Sequence, residues 1–451
     1  MLGPAVAIAR AARAATRRAG KGGTTAAGRV LLKLDPDAIA RLSRKLSRGS
    51  VLISATNGKT TTSTMLAAIL DEAGFAIVHN RAGSNMHWGV ATALLDAGRQ
   101  ADELGLFEVD EAWLPTVADA VEPRLVLLSN LFRDQLDRYG ELELLAERWA
   151  ETVARHAAHT RYALNADDPL VADLGRISDN AVYFGLADDS QALPELQHAA
   201  DSKHCRNCGH AYVYDAVYLG HLGRYHCPNC GRRRPEPQIV ARKVDLHGMD
   251  GSTVAIETPA GQIQVELQLP GLYNVYNALA AATAALELGA TVDQVRIGLA
   301  GFGGAFGRVE RIPVRGREVL ILLVKNPAGA NEVLRTLTLE DGQIDLWLAL
   351  NDRIADGRDV SWIWDADFEL LAGRVRTVTC SGTRAEEMAL RLKYAGIEAT
   401  AVVERDLARS LDDAVGRGET SRPLFALPTY TALLELRDDL SSRGMAGRWS
   451  E

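Results

Sequence analysis

An apolar run, Val51-Leu52-Ile53, passes directly into Ser54-Ala55-Thr56-Asn57-Gly58-Lys59-Thr60-Thr61. Residues Ser63 to Leu70 then read as a helix, so the segment predicts a strand, a tight loop and a helix N-terminus. Free backbone N–H groups converge at such an N-terminus and form an anion site. Lys59 is placed to reach terminal phosphates, and the hydroxyl of Thr60 or Thr61 suits Mg²⁺. The general phosphate-loop pattern carries a glycine five residues before Gly58, where this chain has Ile53. A lysine following a glycine in an ordinary turn is the bland alternative, and the strand-to-helix context argues against it.

A chain of 451 residues has room for two or three domains with substantial cores. With 47% hydrophobic and 24% charged residues its composition is that of a globular protein. A net charge of -8 gives no nucleic-acid footprint, and no apolar stretch is long enough to span a bilayer. Residues 1–21 carry Arg10, Arg13, Arg17, Arg18 and Lys21 without an acid. They read as a basic amphipathic helix, either lying near anionic lipid or simply solvated. They lack the apolar core of a signal peptide, so the expectation is a cytoplasmic protein, peripheral to the inner face of the membrane if that helix touches lipid.

Residues 1–45 form an N-terminal helical segment, broken at Gly22-Gly23-Thr24-Thr25 and resuming over 36–47. From residue 46, apolar strands alternate with longer Ala- and Leu-rich stretches at 51–54, 65–73, 104–109, 125–129, 141–158, 161–164 and 181–184. That rhythm predicts an α/β domain with a largely parallel sheet, extending to about residue 311. Strands at 253–257 and 262–267 and a helix at 275–288 complete it. A smaller α/β unit of Rossmann-like rhythm occupies 312–451, with strands at 319–323, 345–349, 375–379 and 424–427. Helices at 328–337, 384–394 and 406–415 separate them. Gly301-Phe302-Gly303-Gly304 lies near the expected hinge.

Residues 201–234 interrupt the α/β rhythm. They contain Cys205-Arg206-Asn207-Cys208-Gly209 and Cys227-Pro228-Asn229-Cys230-Gly231. Each pair has the knuckle spacing that brings two thiolates to one tetrahedral ion, and the glycines free the turns. Four sulfurs close the coordination sphere, so a structural Zn²⁺ is expected. The intervening segment, with Tyr212, Tyr214 and Tyr218, reads as a hairpin. His204, His210, His221 and His226 are expected at the surface rather than as ligands, and Cys380 as an ordinary buried thiol.

A second polar constellation follows two apolar strands. Leu104 to Ala112 ends in Glu108-Val109-Asp110-Glu111, and acids at a strand end opposite a phosphate loop suit Mg²⁺ on ATP. Glu108 and Glu111 are the metal candidates. The next strand leads into Asn130-Leu131-Phe132-Arg133-Asp134-Gln135-Leu136-Asp137-Arg138-Tyr139.

Taken together, Thr56 through Thr60, Glu108 through Glu111, and Asn130 through Tyr139 resemble the Mur ligases and folylpolyglutamate synthases. Leu164-Asn165-Ala166-Asp167-Asp168-Pro169 and Leu269 through Ala278 fit the same pattern in order, as does Gly307-Arg308-Val309-Glu310-Arg311. Within that superfamily the chain is most similar to the MurT-like branch. The cysteine ribbon lies inside the central domain, and Gln135 replaces a magnesium-binding histidine of many peptide-adding ligases. No lysine occurs between Lys59 and Lys203 to be carbamylated, and Asn351 through Asp365 matches a MurT-like run. Ala55 departs from a glycine of many Mur loops.

The resemblance implies a Mur ligase-like ATP-binding central domain in which Asn274 touches adenine and Arg308 contacts phosphate. It implies amidation of the D-glutamate α-carboxylate of lipid II through an acyl phosphate, with Lys59 and Glu108 catalytic and Asp134 and Gln135 on the substrate side. Cys380 has no nucleophile-elbow surroundings, so ammonia is expected from a GatD-like glutaminase docked on the C-terminal domain. By resemblance an aspartate completes that partner's Cys–His pair, and spacing leaves Asp356 and Asp359 both open. A Mur-like amino-acid ligase and a silent ATP-binding scaffold are the competing readings.

Overall fold

The computed structural model describes residues 2–18, 25–80, 84–134, 142–303 and 309–446. Its first sheet contains nine strands. They are β1 (Ser50–Ser54), β2 (Ala76–His79), β3 (Glu103–Glu108), β4 (Leu125–Leu128), β5 (Arg161–Asn165), β6 (Ala181–Leu186), β9 (Ile239–Leu246), β10 (Ser252–Thr258) and β11 (Gly261–Leu267). The order is β11-β10-β9-β6-β5-β4-β1-β3-β2. Pairing is parallel from β2 to β9 and antiparallel only at β9–β10 and β10–β11. A hairpin of β7 (Val213–Leu219) and β8 (Leu222–His226) forms a separate two-stranded sheet in the cysteine segment.

The alternation of side chains along β1 explains why helices cover both faces. Val51 and Ile53 face a core shared with the helices Lys59–Glu72, Leu272–Glu287 and Val292–Ala300. Leu52 faces the opposite core, with helices Ala26–Leu34, His87–Leu94, Leu114–Val121 and Leu142–His156. Burying each such side chain contributes roughly 1.5–3 kcal/mol. The strand order reverses at β1, which lies between β3 and β4, and ligands of open α/β sheets bind beyond the strand ends at such a point.

The second sheet has the order β12-β13-β17-β14-β15-β16, from β12 (Val309–Val314), β13 (Arg317–Leu322), β14 (Ile344–Ala349), β15 (Val375–Ser381), β16 (Ala401–Val403) and β17 (Leu424–Pro428). Only β12–β13 is antiparallel. Two apolar cores cover its faces, one including Leu320 and Leu346, the other Val319 and Trp347.

The N-terminal helix Leu2–Arg18 directs part of its basic face inward. Arg10 donates to Leu95 O at 2.5 Å and Arg13 pairs with Asp96 at 2.8 Å. Among the described residues no helix is long and apolar enough to cross a membrane.

Candidate active site

The loop from β1 to its helix turns at Gly58, whose φ of +86° lies in the left-handed region. A Cβ there would stand 2.0 Å from Asn277 Oδ1, so both the turn and the approach of the Leu272–Glu287 helix require glycine. Asn130, just beyond β4, clamps the loop from the far side. Its Oδ1 accepts from Asn57 N at 2.9 Å and its Nδ2 donates to Asn57 O at 3.0 Å. Thr56 Oγ1 accepts from Phe132 N at 3.0 Å, joining the same two segments. Among the described residues no side chain caps the N-terminus of the Lys59–Glu72 helix.

The acids at the end of β3 meet this N-terminus. Lys59 Nζ donates to Glu111 Oε2 at 2.6 Å and also to Ala55 O, with both side chains buried. Burial alone would lower the Lys59 ammonium, but Glu111, Asp110 and Glu108 outweigh it and hold its pKa above the usual value. Burial pushes the Glu111 carboxyl upward, and Asp110 adds to that against the pull of Lys59. Thr60 Oγ1 donates to Glu108 Oε1 at 3.1 Å. Asn80 fixes the end of β3 by accepting from Glu108 N at 2.9 Å and donating to Glu108 O at 2.8 Å. Trp149, fully buried, donates from Nε1 to Glu111 O at 2.9 Å and so ties the acidic turn to the core.

The C-terminal unit closes over the loop. Asn326 caps the Pro327–Leu337 helix by accepting from Gly329 N at 2.9 Å, and its Nδ2 donates to Asn57 Oδ1 at 2.9 Å. Lys325 forms an ion pair with Asp134. Between the units runs a cleft lined by Asn57, Gly58, Thr61, Asn277, Tyr276, Leu219, Leu222, Lys325, Glu332 and Val333, among others. It measures about 80 Å³, against roughly 300 Å³ or more for an ordinary small-molecule pocket. Glu332, 2% exposed, has its carboxyl pushed up by burial to about 7.

The site residues expected from sequence divide by position. Thr56, Asn57, Gly58, Lys59, Thr60, Thr61, Glu108 and Glu111 converge at the end of β1, and Asp134 lies beside them. Asn274 stands behind the cleft wall, donating to Pro270 O at 2.7 Å and accepting from Asn277 at 3.0 Å, while Asn277 lines the cleft. Gln135 and Arg308 fall outside the described residues. Asp167 and Asp168 carry the framework. Asp167 accepts from Leu186 N at 2.8 Å, Arg234 at 2.5 Å and Tyr276 at 2.7 Å. Asp168 holds Leu131 N at 2.8 Å and caps the short helix at Pro169.

Cys205, Cys208, Cys227 and Cys230 bring their sulfurs within 4.8 Å of one another, a set able to hold a metal ion. Tyr212 and Tyr225 pack against the buried Cys205 and Cys227. The Arg232 N–H and the Asn207 side chain hold the Cys230 thiol down to about 6. His204 and His210 are exposed and His226 is half-buried, but His221 corrects the surface expectation. It is fully buried at the hairpin turn, with its ring centroid 4.5 Å from Phe132 and Nε2 3.4 Å from Asp168. Cys380 is fully buried, and burial raises its thiol to about 12.

On the second sheet, Asp356 and Asp359 share the loop after β14 with different surroundings. Asp356 is buried and accepts from Thr431 N at 2.8 Å and from its hydroxyl at 2.5 Å. Burial raises its carboxyl against those bonds. Asp359 is exposed, and hydrogen bonds from the Ser361 hydroxyl and from Ser361 N at 2.8 Å lower its pKa. An open cleft of about 730 Å³, lined by Asp352, Arg353, Ile354, Arg358 and Thr431 among others, adjoins this loop.

Residues 53–230 match the model of the Mur ligase middle domain, and 323–433 that of the MurT ligase C-terminal domain. The chain is 34% identical over 97% of both chains to the lipid II isoglutaminyl synthase (glutamine-hydrolyzing) subunit MurT of Staphylococcus aureus strain N315. It is 32% identical over 93% of both chains to the subunit of the same name from Streptococcus pneumoniae strain R6. Its fold is similar to that of a pseudomurein peptide ligase type C from Methanothermus fervidus, with a TM-score of 0.67 and 23% identity over 89% of this chain and 80% of that one. MurF ligase from Thermotoga maritima, solved in complex with ADP, gives a TM-score of 0.62 and 16% identity over 90% and 84%. Spanning nearly the whole of its curated relatives, and matching models at both its sheets, the chain belongs to the MurT family of the Mur ligase superfamily.

Proposed function

We propose that this chain is the ligase subunit of a lipid II isoglutaminyl synthase, amidating the α-carboxylate of D-glutamate in the lipid-linked stem peptide at the expense of ATP. The observation that carries the reading is the buried Lys59–Glu111 pair of 2.6 Å at the uncapped helix N-terminus, beside Glu108 and Thr60. The substrate carboxylate oxygen attacks the γ-phosphorus, the bond to the β-bridging oxygen breaks, and ADP leaves. Ammonia then attacks the acyl carbon, the C–O bond to phosphate breaks, and the new nitrogen sheds a proton to give the amide.

Lys59, charged at neutral pH, leaves Glu111 for the phosphates and offsets the charge spreading over the transferred group. The N–H groups at the start of its helix hold the same oxygens. Thr60 Oγ1 and Glu108 Oε1 lie 3.1 Å apart, close to the about 3.0 Å between neighbouring oxygens around octahedral Mg²⁺, so these two would hold it. Bound there, magnesium would supply positive charge that offsets the charge of the nucleotide phosphates. Asp134, on the rim facing Lys325, stands on the substrate side, and the cleft receives the nucleoside.

Zn²⁺ suits the cysteine cluster. Sulfurs at the corners of a Zn–S tetrahedron are about 3.8 Å apart, and Cys205–Cys230 and Cys208–Cys227 stand at 3.6 and 3.4 Å. With four thiolates and no open position, that metal holds the β7–β8 hairpin rather than substrate.

The chain has no paired nucleophilic thiol of its own, since Cys380 is sealed in the core. A separate glutaminase therefore supplies ammonia, docking at the open cleft beside β14 and β17. Asp356 is the carboxylate that fits a borrowed catalytic role. A histidine-orienting aspartate is buried and fixed by other donors, as Thr431 fixes Asp356.

The test is an assay of the purified chain with lipid II, ATP and Mg²⁺, with ammonium or glutamine as nitrogen source. Amidation is read by mass spectrometry as OH-to-NH₂ exchange, and carboxyl ¹⁸O should appear in released phosphate. Absence of label from phosphate during turnover overturns the reading. Equal rates from the two nitrogen sources without a partner would remove the glutaminase from it.

A further inference from the structure

Glu332 is a helix acid in the wrong place for a solvated one. It lies in the Pro327–Leu337 helix, is 2% exposed, and lines the cleft between the two units. Its Oε1 meets no hydrogen-bond partner among the described residues. A buried acceptor without a donor is costly, and retained ones call for a ligand that supplies the donor. Arg335, one turn along, does not satisfy it, because its guanidinium donates to Tyr218 O at 2.7 Å and Gln191 O at 2.8 Å.

The cleft that Glu332 lines limits the donor. Val333, Ala328, Leu219, Leu222 and Tyr276 give it apolar surface, which suits a flat heteroaromatic base better than a sugar. Gly58 and Thr61 line the same cleft, so with the phosphates on their loop the base lies against apolar side chains. Such a base has few polar atoms to offer. Adenine presents an exocyclic amine, a donor; hypoxanthine and guanine present a carbonyl oxygen there, an acceptor that a carboxylate repels.

Resting on the ATP-dependent reading above, we propose that Glu332 is the base-specificity residue, its carboxylate accepting a hydrogen bond from the 6-amino group of adenine. The contact selects ATP over 6-oxopurine triphosphates. It belongs to the C-terminal unit, so a correct base also draws that unit onto the phosphate loop through the same helix whose cap, Asn326, touches Asn57.

Dissociation constants of ATP and ITP, measured by calorimetry with Mg²⁺ on the full chain, test this. The native chain should prefer ATP. Glu332→Ala should weaken ATP about tenfold or more and, with the repulsion gone, leave ITP binding at least as tight as in the native chain, so that the preference collapses. Glu332→Gln, which offers both acceptor and donor, should keep ATP and improve ITP. Retained ITP binding shows that a variant is folded. An unchanged ATP-to-ITP ratio in both variants overturns the proposal. So does a selective loss, in Glu332→Ala, of discrimination against 2′- or 3′-deoxy-ATP, which would assign the carboxylate to the ribose. Failure of the native chain to bind ATP at all would instead sink the underlying ligase reading.

Discussion

Asn326 Nδ2 donates to Asn57 Oδ1 at 2.9 Å, joining the cap of a C-terminal helix to the phosphate loop of the central sheet. One side chain thereby does two jobs, because Asn326 Oδ1 also accepts from Gly329 N. Lys325 and Asp134 add an ion pair next to it. The cleft proposed for the nucleotide is lined by Asn57, Lys325 and Gly329 from this junction and by Tyr276 and Asn277 of the Leu272–Glu287 helix, so both units contribute to it.

Asn326→Ala should remove both bonds, destabilising the fold by about 1 kcal/mol through the lost cap and raising the KM for ATP. Asn326→Asp keeps a capping oxygen, and Asn57 can turn its amide to donate. Its thermal midpoint should stay near native and its KM should rise less. Equal KM values for native and Asn326→Ala chains would show that the bridge does not contribute to nucleotide capture.

Metal removal should act locally. Chelation under reducing conditions, or Cys227→Ser, should melt the β7–β8 hairpin, because Tyr212 and Tyr225 pack on the sulfurs with ring centroids 5.0 Å apart. Near-ultraviolet circular dichroism from these tyrosines should fall, with one zinc released per chain by native mass spectrometry. The hairpin also supplies Leu219 and Leu222 to the cleft, so ATP affinity should drop with it. Intact tyrosine signals after complete zinc loss would show that the hairpin folds without metal.

Asp356→Asn should separate the two nitrogen sources. Thr431 still bonds the amide oxygen, but the charge that would orient a partner histidine is gone. With the glutaminase present, glutamine-driven amidation should fall by about a hundredfold or more while ammonium-driven amidation stays near native. Asp359→Asn removes an exposed carboxylate and should leave both nearly intact. The reverse pattern would transfer the role to Asp359.

The parts of this molecule legible in the sequence were those whose signal is local. Val51-Leu52-Ile53 before Gly58-Lys59 announced a strand, loop and helix, and the Cys-x-x-Cys pairs announced their own convergence. β2, four residues with a partly exposed pattern, and β9, interrupted by Arg242-Lys243, lacked a continuous apolar run and went unread. Two shaping residues of the site were invisible for a different reason. Asn80 and Trp149 act through bonds across 28 and 38 positions of sequence separation, which no spacing rule reports, and Asn130 stood out in its polar run while its clamp on Asn57, 73 positions away, did not. His221 looked like a polar residue of a surface ribbon because its cover, Phe132, comes from a distant loop. Nothing in the helical run at 328–337 singles out Glu332, because the cleft it lines is completed by the β7–β8 hairpin and the Leu272–Glu287 helix, distant in sequence.

That burial gives Glu332 a measurable effect on stability. Its carboxyl titrates at about 7 in the folded chain, pushed up by desolvation against the attraction of Arg335, where an ordinary glutamate titrates at 4.5. The folded state therefore holds a proton that the unfolded chain has already lost between those two values. Stability falls as pH rises through that window, and the penalty is absent below 4.5 and complete above about 7. At 1.36 kcal/mol per pKa unit the full penalty reaches at most about 3 kcal/mol. Glu332→Gln has no ionisation to penalise, so in the absence of nucleotide it should melt a few degrees above the native chain at pH 8 and close to it at pH 4.5. Saturating ATP, by giving the carboxylate a donor, should narrow the gap at pH 8. A difference in melting temperature that is the same at both pH values would mean that ionisation of Glu332 is not what the cleft resists.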